Sequence, residues 1–166
     1  MLNKIIDIAR FAPTAGNVQA VHWTVIHDPK EVQRIAGATI DWLREASQTP
    51  QMSWAKSLIT AREAGYDPIC RKAPHLILTH VPKQQAQMAA ADGTIALTYV
   101  ELAALPHQVG TCWAGFVYMA ASMSPAVHVA LNLPEDHQFL GGMMIGYPKV
   151  KFHRIPMRKE PQLTWR

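Results

Sequence analysis

Two short segments of this chain carry the residue types that could hold and orient a ligand. The first, Pro13-Thr14-Ala15-Gly16-Asn17-Val18-Gln19, joins a helical pattern to an apolar strand. A turn so rich in small and amide residues lets backbone approach a planar ligand, while Asn17 and Gln19 offer donors and acceptors in fixed directions. The second is Gly110-Thr111-Cys112-Trp113-Ala114-Gly115-Phe116. Its glycines again permit close approach, and its backbone N–H groups precede a helix, where donors lack partners. Taken singly, the first also reads as a plain helix-to-strand loop, and the second as a tight turn with Trp113 packed in the core.

Neither segment carries a catalytic apparatus, and the rest of the chain supplies none. The eight histidines include no HExxH and no HxH, and GxSxG, P-loop and GxGxxG patterns are missing. His75 and His80 bracket a strand and read as structural histidines rather than ligands, so no metal site is expected. Cys112 lies in a glycine-flanked turn with no activating base signalled nearby, and reads as a packed thiol rather than a nucleophile. An enzyme without its own acid, base or nucleophile requires a cofactor that carries the reaction.

Composition narrows the setting. The 166 residues are 49% hydrophobic and 17% charged, enough for one sizeable core and sparing in surface charge, which suits a chain that hides part of its exterior in an oligomer. Two distant cysteines, Cys70 and Cys112, exclude a disulfide framework and point to a reducing compartment. The N-terminus is too charged for a signal peptide, and the longest apolar stretch, Ile95 to Leu105, is interrupted by Thr98 and Glu101 and too short to span a bilayer. A cytoplasmic protein with no membrane contact is expected. The net charge of +4 is concentrated at the end. Lys149, Lys151, Arg154, Arg158, Lys159 and Arg166 stand against Glu160 alone, a local balance of +5 on a nearly neutral body. That pattern suits a local anionic ligand or a solvated charge run, and no nucleic-acid-binding motif accompanies it.

The elements that must position these segments follow from periodicity and punctuation. Leu2 to Phe11 reads as an amphipathic helix, broken by Pro13 to Asn17, and His22 to His27 as a strand. Asp28-Pro29-Lys30-Glu31 is a strong start signal for a helix reaching about Ala46. Gln51 to Ala64 reads as a more polar helix and His75 to His80 as a buried strand. Ala86 to Leu105 is a long helix, apolar on nearly all sides, of the kind found mid-protein or at a subunit interface. Val109 to Gly115 reads as a turn, followed by short helices to Met123 and from Pro125 to Leu131, then a strand from Phe139 to Ile145. Strands mixed with helices without regular alternation favour α+β over a doubly wound sheet.

In this order the segments resemble the nitroreductase family. Arg10 to Gln19 is similar to that family's Pro-Ser/Thr-x-x-Asn-x-Gln element. Ala73-Pro74-His75-Leu76-Ile77 is similar to its entry into the next strand, and Val109 to Phe116 to its loop along the flavin. Gly146-Tyr147-Pro148 with the following cations resembles its phosphate-contacting region. The tail from Arg154 to Lys159 with Trp165-Arg166 resembles a subgroup often fused to a ferredoxin-type module, although two cysteines cannot ligate such a cluster here.

The resemblance implies a single nitroreductase-like domain over residues 1–166, α+β with a central, mainly antiparallel sheet flanked by helices. It implies a homodimer with two FMN molecules at the interface, each touched by both subunits. Carried over by position, Pro13, Thr14, Asn17 and Gln19 lie along the isoalloxazine with Trp113, and the backbone N–H groups of Ala114 and Gly115 lie near flavin N5. Lys151 and Arg154, or else Arg158 and Lys159, neutralise the phosphate. The implied reaction is ping-pong: NAD(P)H or another donor reduces FMN and leaves, and an electron-poor acceptor such as a nitroaromatic or quinone takes the electrons. Two departures stand out: the family's N-terminal Arg-Arg-Ser-x-Arg segment has no counterpart, so the chain is expected to start within the fold's first or second helix, and Ala20 replaces a proline. They leave open an alternative, a non-catalytic or degenerate dimeric flavin-binding protein.

Overall fold

The helix announced at Asp28 forms as its residues dictate. The Asp28 carboxylate accepts from the Lys30 N–H at 2.9 Å, Pro29 occupies the first turn, and α2 runs Pro29–Ala46. Its Val32, Ile35, Ala36, Ile40 and Leu43 are buried at helical spacing. This computed structural model describes residues 1–166, the side chain of Met88 apart. The other elements are α1 (Leu2–Ala9), β1 (His22–Ile26), α3 (Lys56–Glu63), β2 (His75–Pro82), α4 (Ala86–Ala104), β3 (Gly110–Trp113), α5 (Gly115–Met123), α6 (Pro125–Ala130) and β4 (His137–Gly146).

The four strands make one sheet in the order β1-β2-β4-β3, antiparallel at every pairing, so the α+β class and the antiparallel sheet are as expected. Strand alternation sends Leu76, Leu78 and Met144 into a core with α2, α5 and α6. It sends Ile77, Met143 and Ile145 to the opposite face, against α1 and α4. Each fully buried aliphatic side chain of this kind contributes roughly 1.5–3 kcal/mol. Helix α4 on one face and β2 alongside press closely on β4. A Cβ at Gly141 would stand 3.0 Å from Leu97 Cδ1, and one at Gly142 2.9 Å from Leu78 Cδ2.

Four readings are corrected. Residues 110–113 are not a turn but the edge strand β3, paired from Gly110↔Gly146 to Trp113↔Met143. A four-residue strand opening on glycine has no alternation to read, and β4 decides it. The segment 51–64 is divided: a 3-10 stretch, Pro50–Ala55, precedes α3. Cys112 is exposed rather than packed, and Trp113 is 41% exposed rather than in the core.

One end of the sheet is a polar knot. His80 Nε2 meets Thr24 Oγ1 at 2.9 Å, and His80 Nδ1 meets His137 Nδ1 at 2.7 Å, so these two nitrogens share one proton. Burial, then the neighbouring His137 and His22, push the His80 pKa down to about 4, which keeps the ring neutral. His75 is likewise structural, its Nδ1 lying 3.0 Å from the His27 carbonyl oxygen. Among the described residues no group of three His, Cys, Asp or Glu side chains could hold a metal ion, and no helix is long and apolar enough to cross a membrane.

Candidate functional site

The loop before β1 is built by its own side chains. Thr14 Oγ1 accepts from the Gln19 N–H at 3.0 Å, and Asn17 Oδ1 accepts from Gln19 Nε2 at 3.1 Å. Asp92 of α4, a buried carboxylate, accepts from the Ala15 N–H at 3.2 Å and anchors the loop to the helix. Gly16, Asn17 and Gln19 all have positive φ, near 55°. Left-handed backbone at non-glycine residues is disfavoured and collects at functional sites, held there by its surroundings. The loop opens on a cleft of about 550 Å³ lined by Pro13, Thr14, Asn17 and Gln19 with Arg10, Phe11, Trp23 and Ala96.

The second segment is set by β3 and α5. The Ala114 N–H donates to the Gly142 carbonyl oxygen at 2.9 Å and is thereby spent on the sheet. Gly115 opens α5, so its N–H has no helical acceptor and stands as the donor of the pair. A Cβ at Gly115 would meet nothing within 4 Å, so open space rather than packing lies before it. Trp113 and Gly115 line two clefts. One, about 310 Å³, is bounded by Thr94, Tyr118, Phe139, Gly141 and Gly142. The other, about 380 Å³, is bounded by Trp54, Arg71, Cys112, Phe116 and Met119, with the Trp54 and Phe116 rings stacked 5.8 Å apart.

Arg71 and Trp54 are the groove residues to which sequence reading gave no role, whereas Phe116 closes the second segment as read. Arg71 lines the Gly115 groove from the loop before β2. Its backbone φ of 54° and that of Lys72, 57°, are left-handed with no glycine to signal the turn. Asp67-Pro68 was the one available sign, a dipeptide that favours turn initiation.

The tail behaves differently. Residues 147–166 form no regular element, and nearly all are exposed, with Phe152, Ile155, Met157 and Trp165 each at least 81% so. Lys151 and Arg154 line a hollow made by the tail itself, and Arg158 reaches only the carbonyl oxygen of its neighbour Met157, at 3.4 Å. One protomer therefore does not gather the expected site residues into a single cleft. The 13–19 loop, the Trp113–Gly115 groove and the tail cations are three separate places, with α4 contributing Ala96 to the first and Thr94 to the second.

Known proteins of the same build sharpen the picture. The model of the nitroreductase family matches residues 1–147. An Archaeoglobus fulgidus protein assigned as an NADH dehydrogenase/NAD(P)H nitroreductase is 27% identical over 148 residues, covering 89% of this chain and 72% of that one. A nitroreductase with bound FMN from Bacteroides fragilis superposes with a TM-score of 0.75 at 19% identity, over 98% of this chain and 84% of that chain. Another with bound FMN, from Desulfitobacterium hafniense, gives 0.73 at 21% identity, over 94% and 81%.

Proposed function

The chain belongs to the nitroreductase family, and from that premise we propose an FMN-dependent oxidoreductase that works as a homodimer. It takes electrons from NAD(P)H and passes them, in two separate half-reactions, to an electron-poor small molecule such as a nitroaromatic or quinone. The observation that carries this reading is the Gly115 groove: a helix-opening backbone N–H without a helical acceptor, at a residue whose Cβ position is open space, in a groove lined by Trp54, Trp113, Phe116 and Arg71. A planar, electron-accepting ring with polar edges fits such a place. FMN, when bound, supplies reversible two-electron chemistry that no side chain here provides.

The protein's own part is binding, orientation and exclusion of water. Gly115 N–H offers a fixed donor to the N5 edge of the ring, and fixed donors cost little reorganisation when charge develops. Trp113 and Phe116 furnish apolar walls. Pro13, Thr14, Asn17 and Gln19 close over the ring from the other subunit. Two-fold pairing lets the loop of one protomer face the groove of the other, a juxtaposition that a single protomer lacks. The exposed Leu102 and Leu105 at the end of α4, 58% and 66% accessible, suit burial in that contact. Lys151 and Arg154, or Arg158 in a shifted register, neutralise the phosphate from the tail.

Titration with FMN, FAD and riboflavin under anaerobic conditions, followed by NADPH, tests the proposal. FMN is expected to bind best and its absorbance to bleach on adding NADPH. Bound flavin that NADPH leaves oxidised would contradict the enzyme and favour a carrier.

A further inference from the structure

Asp67 lies in the turn between α3 and β2 and is only 7% exposed. Its Oδ1 accepts from the N–H groups of Ile69 at 3.1 Å and Cys70 at 3.0 Å, and its Oδ2 from the Lys72 N–H at 2.9 Å. Gln33 of α2 donates to Oδ2 at 2.8 Å and accepts in turn from Arg62 of α3 at 3.2 Å. Burial pushes the Asp67 carboxyl up, but the hydrogen bonds from Gln33, Lys72, Cys70 and Ile69 outweigh it, so its pKa falls below the ordinary value and the group stays ionised.

One carboxylate thus gathers three turn amides around itself, the Arg71 N–H between them donates to the Asp67 carbonyl oxygen at 3.1 Å, and the two residues that close the turn, Arg71 and Lys72, are both left-handed. Two such non-glycine residues in succession persist only where the surroundings hold them. Asp67 does not spend its charge on Arg71: among the described residues no salt bridge engages that guanidinium. Arg71 instead lines the groove with Trp113 and Gly115.

We infer that Asp67 is a positioning residue whose buried carboxylate fixes the left-handed Arg71–Lys72 step and so holds the Arg71 charge on the Gly115 groove, where it favours the reduced, more negative state of the bound ring. The inference rests on the proposed placement of the flavin at Gly115. A cation fixed beside a group that gains negative charge stabilises the charged state, and more so when water is excluded.

The test is the reduction potential of FMN bound to the full-length protein, read by equilibration with a dye of known potential. Arg71→Ala is expected to shift the equilibrium at least tenfold against reduced flavin, about 30 mV for a two-electron couple. Arg71→Lys is expected to retain most of the wild-type potential. Asp67→Asn sets an amide NH₂ against the donors that Oδ2 now receives. It is expected to shift the potential the same way, with the double variant no worse than Arg71→Ala alone. In the flavin-free protein, hydrogen exchange at Ile69, Cys70 and Lys72 should accelerate in Asp67→Asn, a readout independent of turnover. Unchanged exchange, or opened amides with an unmoved potential, would overturn the positioning role. So would Arg71→Ala binding FMN at the wild-type potential. A wild-type protein that binds no flavin would instead remove the functional reading on which this one stands.

Discussion

Arg71 and Arg154 carry the same charge and stand in opposite circumstances. Arg71 belongs to a turn wound about a buried carboxylate, its backbone held in a conformation it would not choose. Arg154 lies on a tail with no regular structure, beside residues such as Ile155 that are 92% exposed. Charge density in a sequence is therefore a poor guide to a built site. The six cations of residues 149–166 dominate the charge pattern, yet among the described residues of one protomer no hydrogen bond or salt bridge ties them to the body. Arg71, in an unremarked turn, is the groove-lining arginine whose backbone the fold has fixed. Preorganised charge tunes the state of a ring already bound, whereas unorganised charge can only add affinity once a second surface or a ligand orders it.

Removing residues 149–166 should have the largest effect on FMN binding. With both candidate phosphate contacts gone, FMN affinity is expected to fall by about 100-fold or more, from roughly 1.5–3 kcal/mol per charge-assisted contact. Riboflavin affinity and the melting temperature of the body should change little. FMN binding unaffected by the deletion would make the tail a solvated charge run.

Single substitutions refine this. Arg154→Ala is expected to weaken FMN by about 10- to 150-fold and riboflavin hardly at all. Lys151→Ala should act in the same direction but less, because a point charge lacks the bidentate fork. An effect confined to Arg158→Ala would move the contact along the tail. Arg71→Ala should weaken FMN and riboflavin alike, because its partner is the ring they share. Discrimination between the two flavins by Arg71 would erase the distinction drawn here.

The cysteines offer a smaller test of which cleft the ring enters. Cys70 is buried, and burial followed by the Asp67 charge pushes its thiol up to about 12, so it should stay inert to alkylation. Cys112 is exposed on the Arg71 side of Trp113 and should react, and saturating FMN should slow that reaction. Equal labelling with and without FMN would move the ring to the opposite cleft, lined by Tyr118 and Phe139.

The smallest effect concerns the polar knot at the far end of the sheet. The His80 pKa is lower in the fold than in the unfolded chain, so the unfolded chain binds the extra proton between those values. Stability should therefore be complete above about 6.5 and decline as pH falls towards about 4. Denaturant unfolding at several pH values would show it, and His80→Gln should flatten the slope in that window.

How far the molecule was legible depended on whether a feature was local. The cap at Asp28, the proline that follows it and the apolar runs of β2 and β4 are written in adjacent residues, and those elements form where expected. Pro13 to Gln19 was recognisable as a turn for the same reason, though not its anchoring by Asp92, which lies 77 residues from Ala15. β3 was unreadable because its pairing with β4 is settled by tertiary contact across a strand of four residues. Arg71 was missed because its turn is held by the Asp67 carboxylate, itself braced by Gln33 of α2, rather than by a glycine. Ala114 and Gly115 looked equivalent as donors until the Gly142 carbonyl claimed one of them.

In the proposed dimer each flavin site joins the 13–19 loop of one protomer to the Trp113–Gly115 groove of the other. Mixing two inactive variants tests it most directly, one altered only in the loop (Asn17→Ala with Gln19→Ala) and one only in the groove (Gly115→Val). After subunit exchange, half of the dimers are hybrids, and in each hybrid one site unites an intact loop with an intact groove. FMN binding should therefore return to about a quarter of the wild-type sites. No recovery in a mixture shown by mass spectrometry to contain hybrids would contradict the shared site.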